Sequence, residues 1–305
     1  MKIQRLTFLG VRGLSDATFD LTDPASGAPY PVVLITGPAA SGKTRALEAI
    51  VAAKEGIAPY GPMGPGAPWI AAGGSAAKVA LSFHLDEEER TYAGTAEDRM
   101  DGETAFLPQR ARSEADEGLI ALLERYDHGA SGKVEYFPTN RRIPSFPPFH
   151  GTNTLEQRVL RPSRDPRKYS FVLRFLRDLE DSKATEAAFA DKLAMLSATV
   201  RYERVGPADG MPRCFRSRAD ELLAPTELSD AESDAVIFAA TAVAIGLNRS
   251  IVLIDRPELY ADPRDLPRFY GALRALGNDN QLILATSSPE LVAAAEGALV
   301  LKLSA

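Results

Sequence analysis

The sequence of 305 residues predicts an α/β fold in which helices flank a mixed β-sheet, with a short helical arm added. Apolar strands alternate with helical segments through the last third of the chain, a pattern typical of a largely parallel sheet. A glycine-rich loop separates a buried strand from a helix within residues 32–51. Two strand-like segments within residues 1–21 precede that loop. We expect a single domain over residues 1–305, since this length suits one large α/β unit.

The bulk composition is that of a globular protein, and it excludes several kinds of site. Hydrophobic residues make up 45% of the chain and charged residues 25%, which are ordinary values. The net charge of −6 argues against a protein that coats nucleic acid over its whole surface, although a local basic patch is compatible with it. The single cysteine, Cys214, excludes an internal disulfide and a cysteine-based metal cluster. His84, His128 and His150 lack metal-ligand spacing.

No segment predicts contact with a membrane. The first six residues alternate like a strand and lack the features of a signal peptide. The alanine-rich stretch Ala239–Leu247 is far shorter than the roughly 20 apolar residues that a membrane span needs. We therefore expect a cytoplasmic protein.

The first third of the chain predicts strands separated by one long loop. Ile3–Leu9 and Ala17–Leu21 have the alternation of strands, and Val32–Thr36 is an apolar run typical of a buried parallel strand. Residues 56–74 contain six glycines and four prolines, too many for a regular element, so we expect a loop over residues 56–78. Trp69 within that loop is either a local anchor or a contact for a partner.

The middle of the chain predicts fewer regular elements. Val79–Leu85 and Val134–Phe137 are strand-like. Asp86–Asp101 is acidic and predicts a mobile segment, whereas Ser113–Asp127 has the apolar spacing of a helix.

A basic helical arm is expected over residues 155–200. Tyr169–Glu180 and Ala184–Ser197 have helical periodicity and are too short for a long coiled coil. Residues 158–177 are rich in arginine and lysine. Such a cluster is most often a solvated face or a set of intramolecular ion pairs, and the alternative is a surface that contacts DNA or a partner.

The last third predicts a hairpin followed by alternating helices and strands. Thr199–Val205 and Arg213–Ser217 form the predicted hairpin. A helix over Ser229–Gly246 opens with a capping box made by Ser229 and Glu232. The elements that follow are a strand at Ser250–Ile254, a helix at Leu266–Leu276, a strand at Gln281–Ala285, a helix at Pro289–Ala295 and a strand at Ala298–Leu303.

The loop after Val32–Thr36 matches G-x-x-x-x-G-K-[ST] in full, through Gly37, Pro38, Ala39, Ala40, Ser41, Gly42, Lys43 and Thr44. A strand before it and a helix after it are the context that a P-loop requires. The backbone N–H groups of such a loop and the helix N-terminus together bind phosphate. Lys43 is expected to reach the β- and γ-phosphates, and the Thr44 hydroxyl to ligate Mg²⁺. The sequence therefore predicts a P-loop NTPase that binds a nucleoside triphosphate.

A carboxylate at the end of a buried strand is the second sign of a nucleotide site. Ile251-Val252-Leu253-Ile254 precede Asp255, which places the Asp255 carboxylate at the carboxyl edge of a parallel sheet. There it is expected to hold the water shell of Mg²⁺ beside the P-loop, so Asp255 is also a catalytic candidate.

The order of motifs resembles that of ABC-type ATPases. Within that superfamily it resembles the soluble RecF, structural-maintenance-of-chromosomes and OLD-type ATPases rather than transporter subunits. The matching motifs after the P-loop are Leu228-Ser229 with Glu232 at a helix start, Asp255 followed by Pro257-Glu258, and Thr286-Ser287-Ser288-Pro289. The opening Phe8-Leu9-Gly10-Val11-Arg12-Gly13-Leu14 is similar to the first strands of those proteins. The resemblance covers residues 1–55 and 220–303 and implies an ABC-ATPase-like mixed sheet with bound ATP and Mg²⁺.

The resemblance also implies a composite site between two subunits. In that family the signature serine contacts the γ-phosphate held by the opposite subunit, and Ser229 is the matching position. The alternative is that Ser229 is only a helix N-cap. Arg12 and Ser287 are further nucleotide-contacting candidates by the same resemblance. A glutamine-type loop is expected in the middle of the chain, where Gln109 and Asn140 are both candidates.

Two positions depart from the family pattern. The glutamate that normally follows the strand aspartate is Arg256, and the switch histidine is Ser287. An arginine cannot accept a proton. Glu258 is a substitute catalytic candidate, but we expect the turning backbone to point it elsewhere. These departures predict a protein that binds ATP and hydrolyses it slowly or not at all.

The leading hypothesis is an ATP-controlled dimerisation switch that serves a partner protein or a DNA-associated complex, in DNA maintenance or phage defence. It predicts an ATP-dependent homodimer or a heteromer with an effector protein. Alternatives are an active ATPase motor, with Glu258 or a residue in trans as base, and a structural subunit with a vestigial site. A small-molecule P-loop kinase fits the loop but leaves Leu228–Glu232 and Thr286–Leu291 unexplained.

Overall fold

The structure is a computed structural model that describes residues 1–125, 132–144, 155–203 and 213–304. An antiparallel sheet and a parallel sheet form its two largest layers. The antiparallel sheet consists of β1 (Lys2–Leu9), β2 (Ala17–Asp20), β4 (Ala77–His84), β5 (Arg99–Leu107) and β6 (Arg110–Ala115), in the order β2-β1-β4-β5-β6. The parallel sheet consists of β3 (Val32–Thr36), β7 (Val134–Phe137), β11 (Ile251–Asp255), β12 (Gln281–Ala285) and β13 (Leu299–Lys302), in the order β13-β3-β12-β11-β7.

A third, small sheet is antiparallel and comprises β8 (Val200–Tyr202), β9 (Phe215–Ser217) and β10 (Leu222–Leu223). The helices are α1 (Lys43–Ile57), α2 (Glu87–Ala93), α3 (Glu117–Glu124), α4 (Leu155–Leu160), α5 (Phe171–Asp178), α6 (Lys183–Leu196), α7 (Asp230–Ile245), α8 (Leu266–Arg274) and α9 (Pro289–Ala294). The mixed α/β class predicted from the sequence is confirmed.

The parallel sheet lies between two hydrophobic cores, which explains its unbroken apolar strands. Alternate residues of β11 face opposite sides: Val252 and Ile254 pack with α5–α8, while Ile251 and Leu253 pack with α1 and the antiparallel sheet. Helix α1 therefore lies between the two large sheets, with Leu47 and similar residues fully buried. Strand β11, which ends at Asp255, is thus packed on both faces.

The side chain of Gln281 joins the two large sheets by hydrogen bonds. Its Oε1 accepts from the N–H of Ile3 at 2.7 Å, and its Nε2 donates to the carbonyl of Ile3 at 2.8 Å and to that of Tyr30 at 3.1 Å. Gln281 is fully buried, so its amide replaces the partner strand that β1 lacks at this point.

Two predictions for the middle of the chain were wrong. Asp86–Asp101 contains α2, which Asp86 and Glu89 cap reciprocally, and the start of β5. The predicted helix from Ser113 begins only at Glu117, because residues 110–115 form β6 of a hairpin. The inward positions of β5 include Gly102, whose missing Cβ leaves room for Ile57, so the hairpin lacks a strong apolar alternation.

The loop expected over residues 56–78 is largely irregular, although α1 extends to Ile57 and β4 begins at Ala77. A short 3₁₀ turn occupies Ala67–Trp69. The Trp69 ring packs against Phe106 at 5.4 Å and lies under the Arg45 guanidinium at 4.1 Å. Trp69 is thus a local anchor.

The basic cluster of residues 158–177 is largely committed to ion pairs inside the chain. Arg161 and Lys168 are buried with Glu135 of β7. Arg164, Arg167 and Arg174 pair with Glu48, Asp165 and Asp178 respectively. The predicted helix over Tyr169–Glu180 is divided: 3₁₀ turns at Pro166–Tyr169 and Leu179–Asp181 flank α5.

Several sequence predictions fall on residues outside the described ranges, namely His128, His150 and the turn of the hairpin between β8 and β9. Cys214 is buried, and burial raises the pKa of its thiol to about 12. Within the described part of the chain, the helices are all too short or too polar to cross a membrane.

Candidate functional site

The P-loop joins the carboxyl end of β3 to α1, as the sequence predicts. Gly42 has a φ of 88°, and a Cβ there would meet Leu14 Cδ2 at 2.6 Å as well as the carbonyl of Gly13. Gly37 has a φ of 150°, and a Cβ there would lie 2.6 Å from Ser41 Oγ. Only glycine fits at these points. Pro38, Ala39 and Ala40 form the exposed crest of the loop.

The amino end of α1 is arranged to bind an anion. Gly42 is the N-cap of α1 and has no side chain that could accept a hydrogen bond from the first N–H groups of the helix. The Ser41 hydroxyl is buried and has no partner among the described residues. Lys43 Nζ donates to the carbonyls of Gly37 at 2.9 Å and Pro38 at 2.7 Å, so the ammonium lies across the mouth of the loop.

Thr44 and Asp255 meet directly at the edge of the parallel sheet. Thr44 Oγ1 donates to Asp255 Oδ2 at 2.8 Å. Asp255 is 1% exposed, and this burial raises the pKa of its carboxyl. Its second oxygen, Oδ1, is buried and has no partner in the described part of the chain. A hydroxyl and a carboxylate with one unpartnered oxygen are a donor set that suits Mg²⁺.

The two positions that depart from the expected motif lie beside this pair. Arg256 is exposed and has a left-handed backbone, with φ 49° and ψ 64°. Glu258 Oε1 accepts a long hydrogen bond of 3.4 Å from the N–H of Ser287. Ser287 is exposed and follows β12. The Glu258 carboxylate therefore lies next to the position expected for the switch histidine.

Ser229 is the N-cap of α7 and lies at the carboxyl edge of the parallel sheet. Its side chain accepts from the N–H of Glu232 at 3.3 Å, and Glu232 Oε2 accepts from both the N–H and the hydroxyl of Ser229. The predicted capping box is confirmed. Ser229 is exposed, and no hydrogen bond among the described residues joins it to Gly37–Thr44 of its own chain.

Arg141 is a central residue of the site that sequence reasoning missed. It is 1% exposed and donates to Asp234 of α7 through Nε and through Nη2, the latter at 3.0 Å. The remaining N–H groups donate to the carbonyls of Pro138, Asp255 and Arg256. Burial is the largest influence on Asp234 and raises its pKa, while the Arg141 guanidinium opposes that effect. No local sequence signal relates two residues so far apart.

Further arginines surround the P-loop. Arg12 Nε donates to the carbonyl of Ile70 at 2.9 Å, outside Gly37–Thr44. Arg164 contacts Glu48, one turn of α1 after Thr44, and helps to lower the pKa of Asp255 against the effect of burial. Sequence reasoning placed Arg164 in the arm and did not connect it with this site.

The two candidates for a glutamine-type loop lie in different places. Asn140 follows β7, which pairs with β11, so it occupies the same edge of the parallel sheet as Asp255; its side chain donates to the carbonyl of Arg164. Gln109 is exposed in the turn between β5 and β6 of the antiparallel sheet. The structure thus favours Asn140 on position.

Comparisons with known proteins support this fold. No protein-family model matches the sequence, and no curated protein matches it. Among solved structures, an SmcHead bound to the C-winged helix domain of ScpA has a TM-score of 0.61 at 15% identity, over 96% of this chain and 92% of that one. The Smc head domain derived from Pyrococcus furiosus, with an extended coiled coil and bound to the C-terminal domain of ScpA, gives 0.61 at 13% identity over the same shares.

The SMC head domain from Thermotoga maritima has a TM-score of 0.55 at 14% identity, over 99% of this chain and 94% of that one. At these identities the likeness concerns the fold. Nearly the whole length of the chain has the P-loop NTPase fold found in SMC head domains.

Proposed function

We propose that this protein is an ATP-binding head whose nucleotide site is completed by a second subunit, and that it works as an ATP-controlled association switch with slow hydrolysis. The observation that carries the proposal is the 2.8 Å hydrogen bond between Thr44 and Asp255 beside a complete P-loop. Gly37–Lys43 supply backbone donors and an ammonium for phosphates. Thr44 and Asp255 would hold Mg²⁺, which neutralises phosphate charge when it is bound.

Ser229 supports the second-subunit part of the proposal. It is exposed at the carboxyl edge of the sheet, at the N-terminus of a 16-residue helix, and no hydrogen bond in the described residues joins it to the P-loop of its own chain. A helix N-terminus favours an anion. In this proposal Ser229 and the N-terminus of α7 bind the γ-phosphate held by Gly37–Thr44 of the opposite subunit. Arg12 and Ser287 lie at the rim of that composite site.

Slow hydrolysis follows from the groups next to Asp255. Arg256 occupies the position of the base and cannot accept a proton. Ser287 offers no imidazole. The solved SMC heads of similar fold include two that bind parts of ScpA, which supports a head that serves a partner complex. A role in DNA maintenance or phage defence, and a DNA contact through residues 158–177, stay predictions.

The second candidate is an active ATPase, and the position of Glu258 favours it. Its carboxylate lies by Ser287 and keeps one buried oxygen, Oε2, without a partner in the described residues. Such a group could act as base if the nucleotide brought water within reach. A vestigial nucleotide site is the third candidate, and the intact loop and the Thr44–Asp255 pair weigh against it.

The test is the mass of the protein in solution, measured by light scattering with and without ATP and Mg²⁺. The wild type is expected to shift from monomer to dimer with ATP, and Lys43→Ala and Ser229→Arg to stay monomeric. Ser26→Arg is the matched control, since Ser26 lies in an exposed turn before β3, at the opposite edge of the sheet. Dimers that persist in Ser229→Arg would contradict the composite site.

A turnover assay on the same samples separates the candidates. The proposal expects phosphate release well below the typical 1–10³ s⁻¹ of enzymes. Turnover of several per second that Lys43→Ala abolishes would favour the active ATPase instead.

A further inference from the structure

Arg256 has a backbone conformation that an arginine rarely adopts. Its φ of 49° and ψ of 64° lie in the left-handed region, which is unfavourable for a residue with a Cβ. Proline follows at position 257 and restricts the preceding residue further. Glycine would remove this strain, yet the chain has a long cationic side chain there.

Hydrogen bonds from two neighbouring segments hold this conformation. The N–H of Arg256 donates to the carbonyl of Ala285 in β12 at 2.8 Å. The carbonyl of Arg256 accepts from Nη2 of the buried Arg141 at 3.2 Å. Backbone strain that its surroundings fix in this way is concentrated at binding and catalytic sites. Arg256 directly follows Asp255, which bonds to Thr44 of the P-loop helix, and the Arg256 side chain is exposed.

The other arginines near the P-loop already have partners. Arg141 uses all five of its N–H donors, Arg164 pairs with Glu48, and Arg45 stacks on Trp69. The guanidinium of Arg256 makes no hydrogen bond or ion pair with any residue in the described ranges.

We propose that Arg256 binds the terminal phosphate of the nucleotide held by Gly37–Thr44, in the place where a hydrolytic base would act. A guanidinium offers two parallel N–H donors that match phosphate oxygens. The contact would favour a triphosphate over a diphosphate. It would also keep the position beside Asp255 without a proton acceptor. This inference rests on the proposed function, since it requires that the P-loop binds ATP.

The experiment measures the dissociation constants of ADP and of a non-hydrolysable ATP analogue by calorimetry, both with Mg²⁺. Arg256→Ala is expected to weaken binding of the ATP analogue at least about tenfold, with less than a twofold change for ADP. Arg256→Lys should recover part of the loss, because it keeps the charge without the planar fork. Arg274→Ala is the control, an exposed arginine in the last turn of α8.

Arg256→Gly separates binding from folding. Glycine tolerates the left-handed backbone, so this variant is expected to melt at or above the wild-type temperature while it still loses affinity for the ATP analogue. Equal losses for both nucleotides, or no loss, would overturn the role of Arg256. A wild-type protein that binds neither nucleotide would instead overturn the proposed function, and this inference with it.

Discussion

Arg141 and Asp234 form a buried, two-pronged ion pair that joins the carboxyl end of the parallel sheet to the helix that begins at Ser229. The other donors of Arg141 bond to backbone carbonyls, two of them at the end of β11. Arg141 and Asp234 thus connect the helix that begins at Ser229 to the backbone at Asp255, in addition to the packing of α7 in the core. This contact is a direct connection between the nucleotide site and α7.

Removal of one partner of this pair should lower the stability of the protein strongly, whereas removal of both should lower it little. Arg141→Met leaves Asp234 buried without its counter-charge, so we expect the free energy of unfolding to fall by about 3–5 kcal/mol. Arg141→Met with Asp234→Leu removes both charges and should recover most of that loss, as measured by urea denaturation. We expect the stable double variant to have lost ATP-dependent dimers. Normal dimers in the double variant would show that the pair does not position Ser229.

Gly42 is predicted to be irreplaceable for steric reasons alone. Gly42→Ala introduces a Cβ that meets Leu14 and the Gly13 carbonyl, at a φ of 88°. We expect a loss of about 2–4 kcal/mol in stability and no measurable nucleotide binding. The matched control is Gly271→Ala in α8, where a Cβ would meet nothing within 4 Å and should stabilise the helix by about 0.5–1 kcal/mol. Similar effects at both glycines would contradict this account of the loop.

Thr44 is expected to act on nucleotide affinity through the metal. Thr44→Val removes the hydroxyl with little change of shape. It should weaken ATP binding at least about tenfold in Mg²⁺ and much less in EDTA. Thr18→Val is the control, because the Thr18 hydroxyl also bonds one side chain, Thr7, at 3.0 Å on an exposed sheet face. An equal loss with and without the metal would argue that Thr44 serves the loop only structurally.

Glu258 distinguishes the slow switch from the active ATPase. A glutamine at this position keeps an oxygen for the Ser287 N–H, so Glu258→Gln should fold normally. The proposal expects turnover in Glu258→Gln to stay within about threefold of the wild type. A base would contribute about 10²–10⁴-fold to the rate. A loss of that size, with ATP binding intact, would assign catalysis to Glu258.

Stability is expected to rise with pH above 8 because of the buried lysines. Burial lowers the pKa of Lys168 and of Lys54 to about 8, from 10.5. Below pH 8 both the folded and the unfolded state carry these protons. Between pH 8 and 10.5 the folded state releases these protons while the unfolded state keeps them. The free energy of unfolding therefore rises, by up to about 2 kcal/mol per lysine at pH 9.5.

The check is urea denaturation of the wild type between pH 7.5 and 9.5. Lys168→Met should reduce the slope of stability against pH, although it also costs stability at pH 7.5 through the loss of a partner for Glu135. Lys302→Met, at an exposed position of β13, should leave the slope unchanged. A flat wild-type profile would mean that these lysines keep an ordinary pKa in the folded protein.

Sequence reasoning located the strands and helices whose pattern is local. The parallel strands are continuous apolar runs, because both of their faces are buried, and Ser229 carries its own capping signal. The β5–β6 hairpin was not found, since Gly102 and Thr104 occupy inward positions where apolar residues would mark a strand. Helix α2 was missed because its charged sequence resembles a solvated loop, although Asp86 and Glu89 form a capping box at its start.

The candidate site was predictable wherever its residues belong to a contiguous motif. Gly37–Thr44 and Asp255 are examples, and the structure brings Thr44 and Asp255 into direct contact. The role of Arg141 depends on Asp234 and on carbonyls from two other segments, which no local pattern records. No local pattern relates Arg164 to the site either. Its sequence position suggested a basic arm, but it pairs with Glu48 of the P-loop helix.

The strand order β13-β3-β12-β11-β7 has a consequence for synthesis of the protein. Both neighbours of the P-loop strand β3 come from the last quarter of the chain. The Gln281 side chain that holds β1 to the parallel sheet also belongs to that quarter. A nascent chain on the ribosome thus carries its P-loop sequence before β3 can acquire its neighbours and Asp255, which lies 211 residues after Thr44. Incomplete chains are therefore expected to have no working nucleotide site and to expose β3 to chaperones.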